Sequence, residues 1–227
     1  MTKGTVRGVI ANMVTLKVDG PVSQGEICYI ETGGDRLMSE VIKVVGSDVY
    51  VQVFESTRGL KVGAPAEFTG HMLEVQLAPG MLSKNFDGLQ NDLDKMDGVF
   101  LKRGQYTDPL DRERLWDFTP IAKVGDEVIN SAWLGEVIEN SQKLKIMAPF
   151  QMKGTATIKS IVPAGKYKVD DTIAVLVDEQ GNEINVTMVQ HWPVKFAMTN
   201  YKQKPRPFKL LETGVRTIDT FNPITEG

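Results

Sequence analysis

The stretch MVTLKVDGPVSQGEICYIE, residues 13–31, alternates apolar and polar side chains on both sides of an Asp19-Gly20-Pro21 turn. Alternation with a period of two marks half-buried strands, and Asp, Gly and Pro together supply the turn between them. Outward from it the same pattern recurs in VRGVI (6–10), LMSEVIKVV (37–45) and VYVQVFE (49–55), with a second strong turn at Gly33-Gly34-Asp35. Short strands at short spacing, with no helical period among them, predict a small closed β-barrel over residues 1–70, because closure removes exposed sheet edges.

Beyond Gly70 the pattern breaks. HMLEVQLAPGMLSKNFDGLQNDLDKM (71–96) holds one strand-like piece, a Pro-Gly break and a short helical or looped stretch. From about Trp116 to Met188 the β-signature returns as about seven short strands with two related half-motifs, VGDEV (124–128) and LGEV (134–137). This predicts a second β module of flattened, sandwich-like form. His191-Trp192-Pro193 closes it, and a polar Pro- and Lys-rich crossing, KFAMTNYKQKPRPFKLLE (195–212), leads to TGVRTIDTFNPITEG (213–227). There Thr213 is expected to cap a short helix with Val215, Ile218 and Phe221 on one face, ended by Asn222-Pro223.

Hydrophobic residues make up 41% and charged residues 24%, an ordinary globular balance, and the net charge of −3 argues against nucleic acid as a partner. No apolar run reaches the roughly 18–20 residues of a membrane-spanning helix, and MTKGTVRGVI carries no signal-peptide core. The single cysteine, Cys28, sits in the apolar run ICYI and is expected to be a buried core residue of a cytosolic protein.

Few residues suggest chemistry. A phosphate-binding loop needs G-x-x-x-x-G-K-[ST]; the single Gly-Lys pair, Gly165-Lys166, is followed by Tyr167 and reads as a hairpin turn. His71 and His191 are far apart in the chain, without acidic or cysteine residues at ligand spacing, and read as structural. Asp170-Asp171 and the acidic pair Asp111 and Glu113 read as turn residues and solvated faces. Met152-Lys153-Gly154 offers a lysine as in lipoyl or biotinyl carriers, but lacks the flanking Met pair or preceding Asp of those modified sites. No catalytic, cofactor-binding or metal-ligating residue is therefore assigned.

The ordered segments TGHMLEVQLAPGMLSKNFDGLQNDL, KIMAPF, GTATIKSIVPAGKYKV, MVQHWPVK, KPRPF and TGVRTIDTFNPITEG resemble the catalytic A subunit of vacuolar and archaeal-type rotary ATPases, over essentially the whole chain. The inserted β module distinguishes that subunit from F-type and B subunits. Many members have Arg-Pro where this chain has Asn91-Asp92. The resemblance implies a mainly β fold: a barrel at 1–70, a first segment of an α/β P-loop nucleotide domain at 71–110, an inserted barrel-sandwich bulge at 111–190, and a linker with a second, truncated nucleotide-domain segment at 191–227. It also implies a parent protein that hydrolyses or makes ATP with magnesium and couples this to proton or sodium movement. That protein sits in a hexameric ring with B subunits, with central and peripheral stalk subunits, cytoplasmic and peripheral to the membrane sector. On this resemblance the P-loop follows shortly after Gly227, so the 227 residues are expected to be inactive alone. A carrier domain or a non-enzymatic β interaction module is the competing expectation.

Overall fold

In the computed structural model, residues 2–96, 98, 100–197 and 206–226 are described. The chain divides into two compact units, residues 1–195 and 196–227. Residues 198–205 of the expected polar crossing lie outside the described residues.

The first unit opens with β1 (Lys3–Ile10), β2 (Met13–Val18), β3 (Glu26–Thr32), β4 (Asp35–Val45), β5 (Asp48–Val53) and β6 (Pro65–Met72). They form a closed barrel in the order β1-β2-β5-β4-β3-β6, which β1 closes by pairing Gly4 with Ala66. Three of its hairpins turn on two residues, between Ile10 and Met13, Thr32 and Asp35, and Val45 and Asp48. Gly33 (φ 58°) and Gly34 (φ 93°) both adopt positive φ, as the tight hairpin between β3 and β4 requires. Alternate side chains point inward, and Leu16, Cys28, Ile30, Leu37, Val49, Val51 and Phe68 fill the interior.

β4 departs from simple alternation: Leu37, Met38, Ser39, Glu40 and Val41 are all buried. Leu37 and Val41 belong to the barrel core, and Ser39 meets Cys28. Met38 and Glu40 point the other way and are covered from outside, Met38 by the Tyr106 segment and Glu40 by Lys195, whose ammonium it binds.

β7 (Glu74–Leu77) leaves the barrel, and after a 3-10 turn at Leu93–Lys95 the second β module begins. Its strands are β8 (Trp116–Pro120), β9 (Glu127–Val128), β10 (Trp133–Glu139), β11 (Gln142–Met147), β12 (Ala156–Ile161), β13 (Gly165–Tyr167), β14 (Ala174–Asp178) and β15 (Glu183–Val186). They form two four-stranded sheets, β11-β10-β8-β13 and β15-β14-β12-β9. The expected mainly β architecture of closed barrel plus sandwich-like module is thus observed. One core gathers Trp116, Phe118, Val137, Ile146, Val169 and Ile173 together with Ala78 and Leu110 from the connecting segment. The other gathers Leu134, Met152, Ile158, Leu176 and Val186.

The half-motifs have distinct local roles. In VGDEV, Gly125 (φ 90°) turns the chain and Asp126 accepts from the Lys123 amide at 2.8 Å, which leads into β9. In LGEV, Gly135 lies under the Phe118 ring; a Cβ there would enter the van der Waals shell of Phe118 Cε2 and Cζ and lie 2.8 Å from the Thr119 carbonyl oxygen. β16 (Gln190–Pro193) then pairs back on β7, placing His191 opposite Gln76.

In the second unit β17 (Leu210–Leu211) pairs with β18 (Ile224–Thr225), with α1 (Arg216–Phe221) between them. Thr213 is not the helix cap. Val215 holds that position without a side-chain bond, while the Thr213 hydroxyl donates to Asp219 Oδ1 at 2.6 Å and accepts from the Val215 amide. Asp219 also accepts from the Thr213 and Gly214 amides, so the acid ties the first full turn of the helix back to the chain that enters it. Asn222 ends the helix, its amide bonding the Ile218 carbonyl. Val215 and Phe221 are exposed, as expected for an apolar face with no cover inside a unit this small.

Candidate functional site

The segment between β7 and β8 is held by buried polar groups rather than by regular structure. Asp87 Oδ1 accepts from the amides of Leu89 (2.9 Å) and Asn91 (2.8 Å), and its Oδ2 accepts from Asn91 Nδ2 (2.8 Å). Asn91 Oδ1 in turn accepts from the Thr107 amide at 3.0 Å. Gln90 extends the β7 edge with its side chain: Oε1 accepts from Gln76 N and Nε2 donates to Gln76 O, both at 2.7 Å.

Asp92, beside Asn91, is buried and receives Lys84 Nζ at 3.0 Å and Lys95 Nζ at 3.6 Å. Burial alone would raise its pKa; the Lys84 hydrogen bond and charge, the Asp94 amide and Lys95 outweigh burial and hold it below the ordinary carboxylate value.

Residues 103–106 strap across the barrel. Arg103 donates to Asp35 Oδ2 at 2.9 and 2.6 Å, the Gly104 amide donates to Glu55 Oε2 at 2.6 Å, and the Tyr106 hydroxyl donates to Glu55 Oε1 at 2.6 Å. That hydroxyl also accepts from the Met38 amide at 2.8 Å, and the Tyr106 ring meets Tyr29 edge-on. Burial first, then the bond to Glu55, push the Tyr106 phenol well above its usual range, so it keeps its proton.

Against this strap lies a cleft of about 480 Å³, lined among others by Met38, His71, Glu74, Gln90, Tyr106 and His191. The two histidines, 120 positions apart by their numbers, meet here because β16 pairs on β7 just beyond the barrel. His71 Nδ1 lies 2.9 Å from the Met72 carbonyl oxygen and His191 Nδ1 lies 3.6 Å from Glu74 Oε2. Among the described residues no group of three or more His, Cys, Asp or Glu is placed to hold a metal ion. The cleft's polar groups hold backbone and one another, an arrangement that fixes geometry.

The other sequence candidates separate. Cys28 is buried, its Sγ 3.0 Å from Ser39 Oγ, and burial pushes its thiol up to about 12, which leaves no thiolate for attack. Gly165-Lys166 is not a hairpin turn: both residues lie in β13, paired with Phe118 and Asp117 of β8. The turn falls earlier, and the following Tyr167 packs edge-on against Phe118. Asp170 pairs with Arg112 at 2.7 Å, Asp171 accepts from the Lys168 amide, Asp111 accepts from the Glu113 and Arg114 amides, and Glu113 binds Lys168. Asp171 and Asp111 thus hold turns, while Asp170 and Glu113 pair with cations at the surface. Lys153 is exposed in the loop between β11 and β12. Sequence reasoning missed Glu55, Arg103 and Tyr106; their partners are 45 to 68 positions away, and no local pattern announces them.

Residues 6–70 match the β-barrel domain of the ATP synthase alpha/beta family, and residues 107–195 match the ATP synthase alpha/beta subunit barrel-sandwich domain. The whole chain is 45% identical to the V-type ATP synthase alpha chain of Borreliella afzelii (strain PKo), covering 40% of that relative. It is 47% identical to the V-type ATP synthase alpha chain of Treponema denticola, covering 39% of it. The chain thus spans about two fifths of the length of these relatives. With a closed six-stranded barrel and a two-sheet module at the matched positions, the chain belongs to the ATP synthase alpha/beta family.

Proposed function

We propose that this chain is the N-terminal portion of the catalytic subunit of a rotary V/A-type ATPase. The observation that carries the reading is the order of a closed barrel and a barrel-sandwich module in one compact unit, in a chain similar throughout to V-type ATP synthase alpha chains. The competing carrier reading has no support in the context of Lys153.

On this reading the barrel contributes to a ring with B subunits. Its surface carries exposed Ile42, Val44 and Val45 along the end of β4, with Tyr50 on the neighbouring β5, and exposed apolar side chains in such number mark contact surfaces. The barrel-sandwich module projects toward stalk subunits. Residues 71–110 and 191–227 are segments of the nucleotide domain. The parent protein couples magnesium-ATP turnover to proton or sodium movement and lies on the cytoplasmic side, peripheral to the membrane sector. No helix of the described residues is long and apolar enough to cross a membrane.

On this reading magnesium-ATP is not held by the described residues alone, since the sequence has no G-x-x-x-x-G-K-[ST]. The one Gly-Lys pair is locked in β13, and the Thr213 and Gly214 amides that lead into α1 already donate to Asp219. The phosphate cradle is proposed for the longer protein.

The test is assembly. Mass photometry of the reconstituted ring, with and without residues 1–70 of this subunit, is expected to show rings with the barrel and dissociated subunits without it. Intact rings after removal of the barrel contradict the reading.

A further inference from the structure

Beyond the β7–β16 ladder, an apolar cleft of about 360 Å³ opens between the Ala78–Leu82 segment and the β10–β11 hairpin of the second β module. Its walls include Met81, Leu82, Leu144, Ile146 and Met188. The hairpin turns on Asn140 (φ 44°) and Ser141 (φ 66°), and Asn140 Nδ2 donates to Ser83 Oγ at 2.9 Å, which fixes the two walls relative to each other.

One charged group stands in this apolar setting. Glu139, at the end of β10, is only 4% exposed. Its Oε1 accepts from the Gly80 amide at 2.9 Å and the Leu82 amide at 3.2 Å. Its Oε2 carries no hydrogen bond among the described residues, yet is not sealed inside protein. Three of the neighbouring polar side chains are committed elsewhere. Lys143 and Lys145 both bind Glu136, while Gln190 donates to the Met147 carbonyl and accepts from the Phe150 amide. A carboxylate oxygen open to the cleft without a protein partner, among mostly apolar side chains, is free to accept from a ligand's donor.

We propose that this cleft is a binding site for an organic cation, a primary ammonium on an apolar chain. The chain lies on Met81, Ile146 and Met188, and the ammonium donates to Glu139 Oε2. The volume falls in the usual range for small-ligand sites, in which apolar walls supply affinity and one or two fixed polar groups supply selectivity. A charged donor meeting a desolvated carboxylate makes the stronger class of hydrogen bond. The site is independent of the rotary reading.

The probe is n-hexylammonium chloride, titrated into methyl-labelled protein and followed by NMR. Saturable shifts are expected at the methyls of Met81, Ile146 and Met188, with at least tenfold weaker binding of 1-hexanol, which has the same chain without the charge. Glu139→Gln keeps an acceptor for the Gly80 and Leu82 amides and is expected to weaken hexylammonium binding at least tenfold while leaving hexanol unchanged. Leu82→Trp, at an exposed position on the rim, narrows the mouth and is expected to weaken both. Absent shifts, equal binding of the two probes, or hexylammonium affinity unaffected by Glu139→Gln in the folded variant overturns the proposal.

Discussion

The Tyr106 hydroxyl donates to Glu55 Oε1 at 2.6 Å and accepts from the Met38 amide at 2.8 Å, so one phenol joins β4, the end of β5 and the segment that leads to the second module. In Tyr106→Phe the ring still packs on Tyr29, but Glu55 loses a donor and the Met38 amide its acceptor. Loss of one such bond costs about 0.5–1.5 kcal/mol, with more where a buried group is left unpaired. The expected result is faster hydrogen exchange at Met38 by roughly tenfold, the factor corresponding to about 1.4 kcal/mol. Unchanged exchange at Met38 would show that the strap does not hold the barrel.

In the second module the backbone at Gly135 passes close under the Phe118 ring. Gly135→Ala forces a methyl against Phe118 and the Thr119 carbonyl, and overpacking of this kind costs about 1–3 kcal/mol. Urea unfolding of the variant is expected to show a lower midpoint with an unchanged slope. The double variant Gly135→Ala with Phe118→Leu should recover part of the loss.

Asp92→Asn removes the charge that Lys84 and Lys95 share. Hydrogen bonds to charged groups contribute about 1.5–3 kcal/mol, and a destabilisation of that order is expected at pH 7. Because the native pKa of Asp92 lies below its ordinary value, its contribution is present above that ordinary value and is lost as pH falls through the native one. Wild type and variant should therefore converge in stability as the solution is made strongly acidic. A constant difference down to low pH would assign the effect to packing.

Cys28 gives the opposite pH dependence. The unfolded thiol loses its proton from about pH 9, whereas the native thiol, desolvated in the barrel core, holds its proton to about 12. Stability from this group is complete below pH 9 and declines as pH rises toward 12, by about 1.4 kcal/mol per unit. Cys28→Ala should be less stable at neutral pH through the lost core volume, yet show a shallower alkaline decline. In native protein at pH 8 a thiol reagent should react only as fast as the barrel opens.

The barrel was legible because its information is local. Alternation in MVTLKV and VYVQVFE decides which side chains enter the core, and Gly33-Gly34 decides where the chain turns. What escaped was decided at long range. β4 has five consecutive buried residues because Tyr106 and Lys195, from distant parts of the chain, cover its outer side. Gly165-Lys166 looked like a turn because Gly is read locally as a breaker, yet pairing with β8 overrode that preference. Thr213 had the right residue type for a cap, but the helix starts two residues later, at Val215, and the Thr213 hydroxyl bonds Asp219 and the Val215 amide instead. His71 and His191 share a cleft through the β7–β16 pairing. Glu139 gave no signal, since its partners at Gly80 and Leu82 lie 59 and 57 positions away.

The central claim is tested most directly by calorimetry with magnesium-ATP on two proteins, residues 1–227 and a chain of the full length of the V-type relatives. Residues 1–227, whose sequence has no G-x-x-x-x-G-K-[ST], are expected to show no binding at micromolar concentration, and the full-length chain clear binding. Micromolar binding by residues 1–227 alone, or none by the longer chain, would contradict it.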